Sequence, residues 1–430
     1  MHSHRQGLEA ITKPTFLTLS APLTIPWQDY TVDSQGNVVQ ELSDTLAVVS
    51  RSADVSGSLL AKTDDDTQTG APKDGASSVD GWTIDAMTFF QGNGENDLPH
   101  LIGADKNDDF ALIHNVKAKV IAATEPTTPD PWASYTWRSA KEVFRPAPFT
   151  MNDGGSTTLT GSFEALPQKT FSLDYKGSLW NALLSDTPSP DLYTAALEVS
   201  VYGEHGAPSV ARGGYASLAR LDIDARVSDV NTLVLPGDYA HEFSYGNPLN
   251  GGQELARIEF TYWVVRTLYW PIGTHDIAYT SLAGSFILQA PVSELSGAPI
   301  KPVVGLPRNV RVNGEPAPMD TVTPHVGTTP EISFDAPALG SPDSYKVQIA
   351  NLSEFQTPEG DEDLLYSSIG FILLSGTTTR VKIPEGLLEA GRFYHVMVSA
   401  IADDKGDPAA PYRRSARFAS ATTFTGIMSP

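Results

Sequence analysis

The sequence has no cysteine, and this absence removes several kinds of chemistry at once. Disulfide bonds, thiol nucleophiles and thiolate metal sites are all excluded, because each depends on the cysteine sulfur. The chain of 430 residues is nevertheless 40% hydrophobic, so it has enough apolar side chains for sizeable cores. Since large β-sandwiches need no disulfide bonds for stability, the missing cysteine does not identify a cellular compartment.

Long apolar runs and a basic surface are also missing. No stretch approaches the ~18 uninterrupted apolar residues of a membrane helix, so no transmembrane segment is expected. The first seven residues do not begin the hydrophobic segment of a secretion signal. The formal net charge is −22, and most of it falls in the first 300 residues. Because this charge repels phosphate backbones, no nucleic acid is expected as a partner.

Complete catalytic motifs are absent as well. His241-Glu242 begins like the zinc motif HExxH, but Tyr245 stands in place of the second histidine. The sequence contains neither a G-x-S-x-G elbow nor a P-loop, and residues 92–97 lack the last glycine of G-x-G-x-x-G. Pairs of carboxylates need no fixed spacing in a glycosidase, so a hydrolase with dispersed carboxylates stays open as an alternative. The motifs themselves predict a protein that is not an enzyme.

Helical patterns are scarce, and short β-rich runs fill the chain instead. Its 35 glycines and 32 prolines are spread between these runs, which is typical of all-β proteins. Leu197, Val199 and Val201 alternate with polar residues and predict a strand with one buried face. The best helix candidate covers residues 178–184, with Ser178 as its cap. Further strands are predicted over residues 15–19, 45–50, 110–113, 118–121, 157–163 and 221–227.

Composition suggests two boundaries between β-rich units. The first is placed near Pro146 and Pro148, and the second between residues 295 and 307, where glycine and proline recur. The expected order is an N-terminal β domain (1–145), a middle β-sandwich (146–300) and a C-terminal domain (301–430). Within the first unit, residues 62–80 are rich in Asp, Thr, Gly and Ser and predict an acidic surface loop.

The C-terminal unit carries the most specific pattern in the chain. Residues 388–400 match the pattern L-x-x-G-x-x-Y-x-V-x-V-x-A. In that pattern the hydroxyl of Tyr394 can fold back at a strand corner and bond the backbone upstream. The unit therefore resembles a fibronectin type III domain, which implies a β-sandwich. One departure is Phe334, which stands in the second strand where the family usually has tryptophan.

The wider layout also resembles a family. Residues 245–248, 326–330 and 340–345, together with the tail 423–430, are similar to fibronectin-type-III-bearing surface lipoproteins of myxobacteria and their relatives. Those proteins are exported, often with a lipobox cysteine that this chain does not have. The resemblance implies an extracellular or outer-surface location, with the leader peptide absent from this sequence. Without it, a cytoplasmic location would be the alternative.

One acidic turn is a candidate calcium site. Asp105, Asn107 and Asp109 follow a D-x-N-x-D spacing that places oxygens at alternate positions, as a hard cation requires. The rest of a calcium loop is missing, because Phe110 replaces the turn glycine and Val116 replaces the closing glutamate. The other interpretation is a polar turn between strands. Apart from this Ca²⁺ candidate, no cofactor is expected.

A group of aromatic residues is the candidate ligand site. Trp263, Tyr269 and Trp270 lie in one segment with Phe260 and Tyr262, and aromatic faces can stack on the apolar faces of sugars. Strand alternation sends Phe260 and Tyr262 to one side and Trp263 to the other. Part of the group must therefore be core, and core packing of the whole group is the competing interpretation.

These patterns predict an all-β protein of serial β-sandwich domains that ends in a fibronectin-type-III-like sandwich. The expected role is that of a structural or adhesion protein at the cell surface or envelope. Its expected partner is a surface protein or glycan, including a second copy of the chain, which exposed edge strands would contact. A carbohydrate-binding protein of a polysaccharide system is the alternative, followed by the hydrolase.

Overall fold

The structure is a computed structural model, and every structural statement below refers to the residues it describes. These are residues 16–26, 31–32, 38–39, 45–50, 55–59, 77–85, 103–104, 111–121, 132–150, 154–187, 192, 194–204, 215–227, 233–234, 237–248, 253–268, 278–317, 319, 322–356, 362–403 and 416–430.

Strands dominate, and the predicted all-β class is confirmed. The N-terminal part contains ten strands: β1 (Phe16–Pro22), β2 (Thr31–Val32), β3 (Val38–Val39), β4 (Thr45–Ser50), β5 (Val55–Leu59), β6 (Ser78–Asp85), β7 (Gly103–Ala104), β8 (Ala111–Ile121), β9 (Trp132–Phe144) and β10 (Phe149–Thr150).

The middle part adds ten strands and the described helices. The strands are β11 (Ser156–Thr160), β12 (Glu164–Ala165), β13 (Gln168–Lys176), β14 (Thr194–Glu204), β15 (Tyr215–Val227), β16 (Leu233–Val234), β17 (Asp238–Gly246), β18 (Glu254–Leu268), β19 (Ala278–Pro291) and β20 (Pro299–Ile300). The helical segments are α1 (Gly177–Ala182), a 3-10 turn (Leu183–Asp186) and α2 (Val292–Leu295).

The C-terminal part adds eight strands: β21 (Arg308–Val312), β22 (Glu315–Pro316), β23 (Glu331–Asp335), β24 (Ser344–Gln356), β25 (Glu362–Ser375), β26 (Arg380–Lys382), β27 (Phe393–Asp403) and β28 (Phe418–Phe424).

One 14-stranded sheet connects all three parts. Its path is β25-β24-β27-β28-β19-β18-β14-β15-β9-β8-β4-β5, and β12 and β16 pair beside this path. The pairs along it are antiparallel. The sheet runs past residues 146–148 through the pairing of β9 with β15, and past residues 295–307 through the pairing of β19 with β28. The division into three units stays a prediction. If the units are separate domains, they share this one sheet across both predicted boundaries.

A central core lies between the long sheet and a smaller one. Leu197, Val199 and Val201 are buried, as their alternation predicts, and belong to this core. The three strands β17, β13 and β20 form the smaller sheet, and buried side chains of β13 and β17 belong to the same core. Trp180 of α1 is buried there, stacks on Tyr175 with ring centroids 5.6 Å apart, and donates to the carbonyl of Ile300 at 3.3 Å. The hydrophobic effect on this shared core holds the two layers together.

The C-terminal part is a two-sheet sandwich. The four-stranded sheet β22-β21-β23-β26 packs on the β25-β24-β27-β28 end of the long sheet, and both layers contribute to the core. The hydroxyl of Tyr394 accepts a hydrogen bond from the N–H of Glu389 at 2.9 Å, which is the predicted tyrosine corner. Phe334 is buried and meets Tyr345 edge-on, with centroids 4.8 Å apart. The fibronectin-type-III-like arrangement is therefore present, with phenylalanine filling the tryptophan position.

Several local predictions need correction. The strands predicted at 110–113 and 118–121 are one strand, β8, because buried His114 and Asn115 continue the pairing between them. Residue 176, not Ser178, caps α1; the Ser178 hydroxyl instead donates to Asp238 at 2.7 Å. Most of the predicted loop 62–80 lies outside the described residues, but its last three residues belong to β6, which pairs with β1.

Candidate interaction surface

Most of the residues predicted as ligands fall outside the part that the structure describes. Asp105, Asn107 and Asp109 of the calcium candidate lie there, as do Tyr269 and Trp270 of the aromatic group. Among the described residues, no group of three or more His, Asp or Glu side chains is arranged to hold a metal ion. The calcium site and the roles of Tyr269 and Trp270 therefore remain predictions from the sequence.

Trp263 is the aromatic ligand candidate that the structure does describe. It lies on β18 opposite Thr194 of β14 and Ala283 of β19, and its side chain is half-buried. Phe260 and Tyr262 on the same strand are fully buried in the core. Strand alternation thus divides the group as predicted: Trp263 lies on the outer face of the long sheet, away from that core.

A band of charged side chains crosses this outer face. Arg138 of β9 lies opposite Arg220 of β15, and Arg257 of β18 lies in the same row on the other side of Ser200 of β14. Glu198, Asp222 and Glu259 form the next row on this face, two residues along their strands. Arg220 bonds Asp222 at 2.7 Å and Glu198 at 3.1 Å, and Arg257 bonds Glu259 at 2.7 Å. Burial raises the pKa of Asp222, and the Arg220 charge opposes that rise. The band is internally neutralised, so it makes the outer face polar without giving it one sign of charge.

The incomplete HExxH segment has a structural explanation. His241 lies on β17 between Tyr239 and Phe243, with ring centroids 6.0 and 6.2 Å away. Burial lowers the pKa of His241. Tyr245 is buried, and its hydroxyl donates to Glu254 at 2.9 Å. These side chains form an aromatic stripe along one strand face, with no convergence on a metal.

The clearest surface feature is the last strand of the long sheet, β25. Among the described strands none pairs with its outer edge. Two of its apolar side chains are exposed, Ile369 by 36% and Phe371 by 43%, and Leu373 is half-buried beside them. Phe371 and Leu373 lie on the outer face opposite Gln348 and Lys346 of β24, and the Lys346 ammonium is 6.0 Å from the Phe371 ring centroid.

An open strand edge is a site where another chain can add a strand. Its backbone N–H and C=O groups point away from the sheet and supply a ladder of hydrogen bonds, while side-chain pockets supply specificity. No motif or strand prediction from the sequence marks this segment. Its only local signal is the run 369–374, which is apolar apart from one glycine and has no charge.

The described part of the chain contains no helix long and apolar enough to cross a bilayer. No protein-family model and no curated protein matches the sequence.

Two solved structures are similar over long stretches, but only loosely. The FN1–FN3 domains of chicken CNTN1 are 10% identical, with 92% of this chain and 91% of that chain covered at a TM-score of 0.15. A leucine-rich repeat protein from Bacteroides thetaiotaomicron is 11% identical, with 68% of this chain and 26% of that chain covered at a TM-score of 0.13. Scores this low carry no argument, so the assignment of the C-terminal sandwich depends on its own strand order and tyrosine corner.

Proposed function

We propose that this protein is a non-enzymatic structural or adhesion protein of a bacterial cell surface or envelope. The observation that carries the proposal is the fusion of the C-terminal sandwich to the middle region through one continuous sheet. A hydrogen-bonded junction holds two units in a fixed relation, whereas a flexible linker would let them move independently. A fixed relation suits a protein whose task is to hold binding surfaces in place.

The junction is supported by side chains as well as by the strand ladder. Residues 285–289 of β19 pair with residues 418–422 of β28. The hydroxyl of Tyr262 donates to the carbonyl of Thr422 at 3.0 Å, and Tyr262 packs against Phe424 with centroids 6.0 Å apart. Arg417 forms an ion pair with Glu294 beside the same junction. These contacts tie the last strand of the chain to the middle region.

Surface location is tested on intact cells. An antibody raised against the whole chain should label the surface of unbroken cells, and external protease should remove that label. A strain that lacks the protein is the control for antibody specificity. Label that appears only after the cells are lysed would overturn the proposed location.

A second candidate is carbohydrate binding, favoured by the position of Trp263. A half-buried indole on a polar sheet face, with Arg257 and Glu259 on the same strand face, presents both a stacking surface and hydrogen-bonding groups. A glycan array with the whole chain tests this function directly. Binding that is lost in Trp263→Ala supports it, and an array with no bound glycan removes it.

A further inference from the structure

The edge strand β25 has a regular segment that is ready for pairing. The register between β24 and β25 shifts at Ile349/Ala350, which makes Ile369 an extra residue in β25. Such a bulge interrupts an edge and limits what can pair with it. Beyond it, residues 370–375 pair with β24 without interruption and leave six residues of regular outer edge.

The chemistry of this segment restricts the kind of partner. Residues 367–375 contain no charged side chain, although the chain as a whole has a formal net charge of −22. A partner selected by opposite charge would find no charged group in this stretch. A suitable partner must instead supply an uncharged strand with apolar side chains, since exposed Phe371 and Leu373 are the groups to be covered.

We propose that β25 pairs antiparallel with β25 of a second copy of this chain, about a two-fold axis at Ile372. This register places Phe371 of each copy opposite Leu373 of the other, on the outer face where both side chains lie. Gly370 then faces Leu374, and regular pairing ends where Ser375 reaches the bulge at Ile369. Residues 369–375 of both copies are uncharged, so no like charges meet within the paired segment.

The symmetry of this contact sets the size of the assembly. Because the same surface is used by both copies, the interface closes into a dimer and does not propagate into a fibre. Only residues 370–374 of each copy pair regularly and form a small interface, so we expect weak and rapidly reversible association. The inference gives the proposed structural role its partner, and its biological meaning rests on that role.

Charge substitutions at the two opposed positions test the register. Phe371→Lys should weaken dimer formation by at least about tenfold in sedimentation velocity, because a charged group is then buried against Leu373. Adding Leu373→Glu to the same chain should restore association, since each lysine then faces a glutamate of the other copy. The double variant Phe371→Lys, Leu373→Lys is the matched control and should stay monomeric.

Both positions project outward, so the variants should keep the circular dichroism and the melting temperature of the parent chain. A parent chain that is monomeric at every concentration tested would overturn the inference. The same conclusion would follow if the lysine–glutamate variant failed to recover association.

Disulfide trapping provides a second measurement, because the chain has no cysteine of its own. A chain with Phe371→Cys mixed with a chain carrying Leu373→Cys should form a disulfide-linked heterodimer on mild oxidation. Ser367→Cys is the control on the same strand, since in this register it faces residue 377, far from either position. Equal cross-linking of the control would indicate non-specific association and would contradict the pairing.

These results separate the inference from the proposed function. A dimer with the predicted register but no label on intact cells would retain the pairing and remove the surface role. Label on intact cells with a chain that stays monomeric would retain the surface role and remove the pairing.

Discussion

Single side chains fix the corner of the C-terminal sandwich. The hydroxyl of Tyr394 accepts the hydrogen bond from Glu389, whereas the hydroxyl of Tyr345 in the same sandwich is buried without a hydrogen-bond partner. Tyr394→Phe should therefore lower the free energy of unfolding by about 1 kcal/mol, since the part-buried N–H of Glu389 loses its acceptor. Tyr345→Phe is the matched control and should be neutral or stabilising. Equal losses in urea denaturation would contradict this assignment.

The ring of Tyr262 packs directly over the backbone of Gly284 and leaves no room for a side chain there. A Cβ at this position would collide with the ring and hydroxyl of Tyr262 and would lie 2.6 Å from the carbonyl oxygen of Thr422. We expect Gly284→Ala to cost about 1–3 kcal/mol of stability through overpacking. Gly237→Ala is the control, because nothing lies within 4 Å of its added methyl group. Urea denaturation of both variants checks the difference, and an unaffected Gly284→Ala would show that Tyr262 is not held there.

His395 makes the stability depend on pH. The side chain is 4% exposed, and its Nδ1 has no hydrogen-bond partner. Burial lowers the pKa of His395 from 6.5 to about 4. The unfolded chain takes up this proton near its ordinary pKa and the folded chain does not. Protonation of His395 therefore favours the unfolded chain below pH 6.5. The free energy of unfolding falls between pH 6.5 and pH 4 and is unaffected by this histidine at higher pH.

The variant His395→Phe isolates that contribution. Between pH 7 and pH 4.5 the parent chain should lose about 2 kcal/mol more unfolding free energy than the variant, because only the parent has the histidine to protonate. Urea denaturation at the two pH values gives the comparison. Identical pH dependence in both chains would mean that His395 is not buried as described.

At the scale of elements, Glu142 ties the end of β1 to the long sheet. One carboxylate oxygen accepts from the backbone N–H groups of Thr24 at 2.8 Å and Ile25 at 2.7 Å, and the other is bonded to Nδ1 of His114 at 2.8 Å. Burial alone would raise the pKa of Glu142, but these hydrogen bonds outweigh it and lower the pKa. The stability from this carboxylate is present above its ordinary pKa of 4.5 and is lost at lower pH.

Removing this charge should loosen β1. Glu142→Gln keeps one acceptor oxygen but removes the carboxylate charge, so the hydrogen bonds to Thr24, Ile25 and His114 weaken and we expect a loss of about 2 kcal/mol. Hydrogen exchange should accelerate in the amides of residues 16–22. Exposed Glu164→Gln is the control and should leave that exchange unchanged. Protection of β1 that survives in Glu142→Gln would contradict the proposed tie.

The same contacts show how far sequence reasoning reaches. Alternation at Leu197, Val199 and Val201 and the pattern around Tyr394 are local signals, and both predictions are confirmed. His114 looks like an interruption of β8, because the glutamate that makes its burial favourable is 28 residues further along the chain. The exposed edge of β25 could not be predicted, since exposure depends on which strands end the sheet. The pairing of β19 with β28 is non-local in the same way.

At the scale of the whole molecule, one sheet runs from β25 to β5 and joins the C-terminal sandwich to the rest. Short sequence patterns can predict the C-terminal sandwich. They cannot predict that its sheet continues into the middle region, because that continuity depends on pairing between strands far apart in the chain. Among the described strands none pairs with the outer edge of β25, where a second copy is proposed to pair. The proposed structural role depends on this hydrogen-bonded continuity between the C-terminal sandwich and the middle region.

The junction itself is the most direct test of this account. Ser285 of β19 and Thr422 of β28 are directly paired, so Ser285→Cys with Thr422→Cys should form an intramolecular disulfide rapidly in a chain that has no other cysteine. The control pairs Ser285→Cys with Ser399→Cys, which lies one strand further away, beyond disulfide reach. Rapid closure in the first variant alone is the predicted result. Absence of the bond, or equal closure in both variants, would show that the sandwich is not fused to the middle region through this sheet.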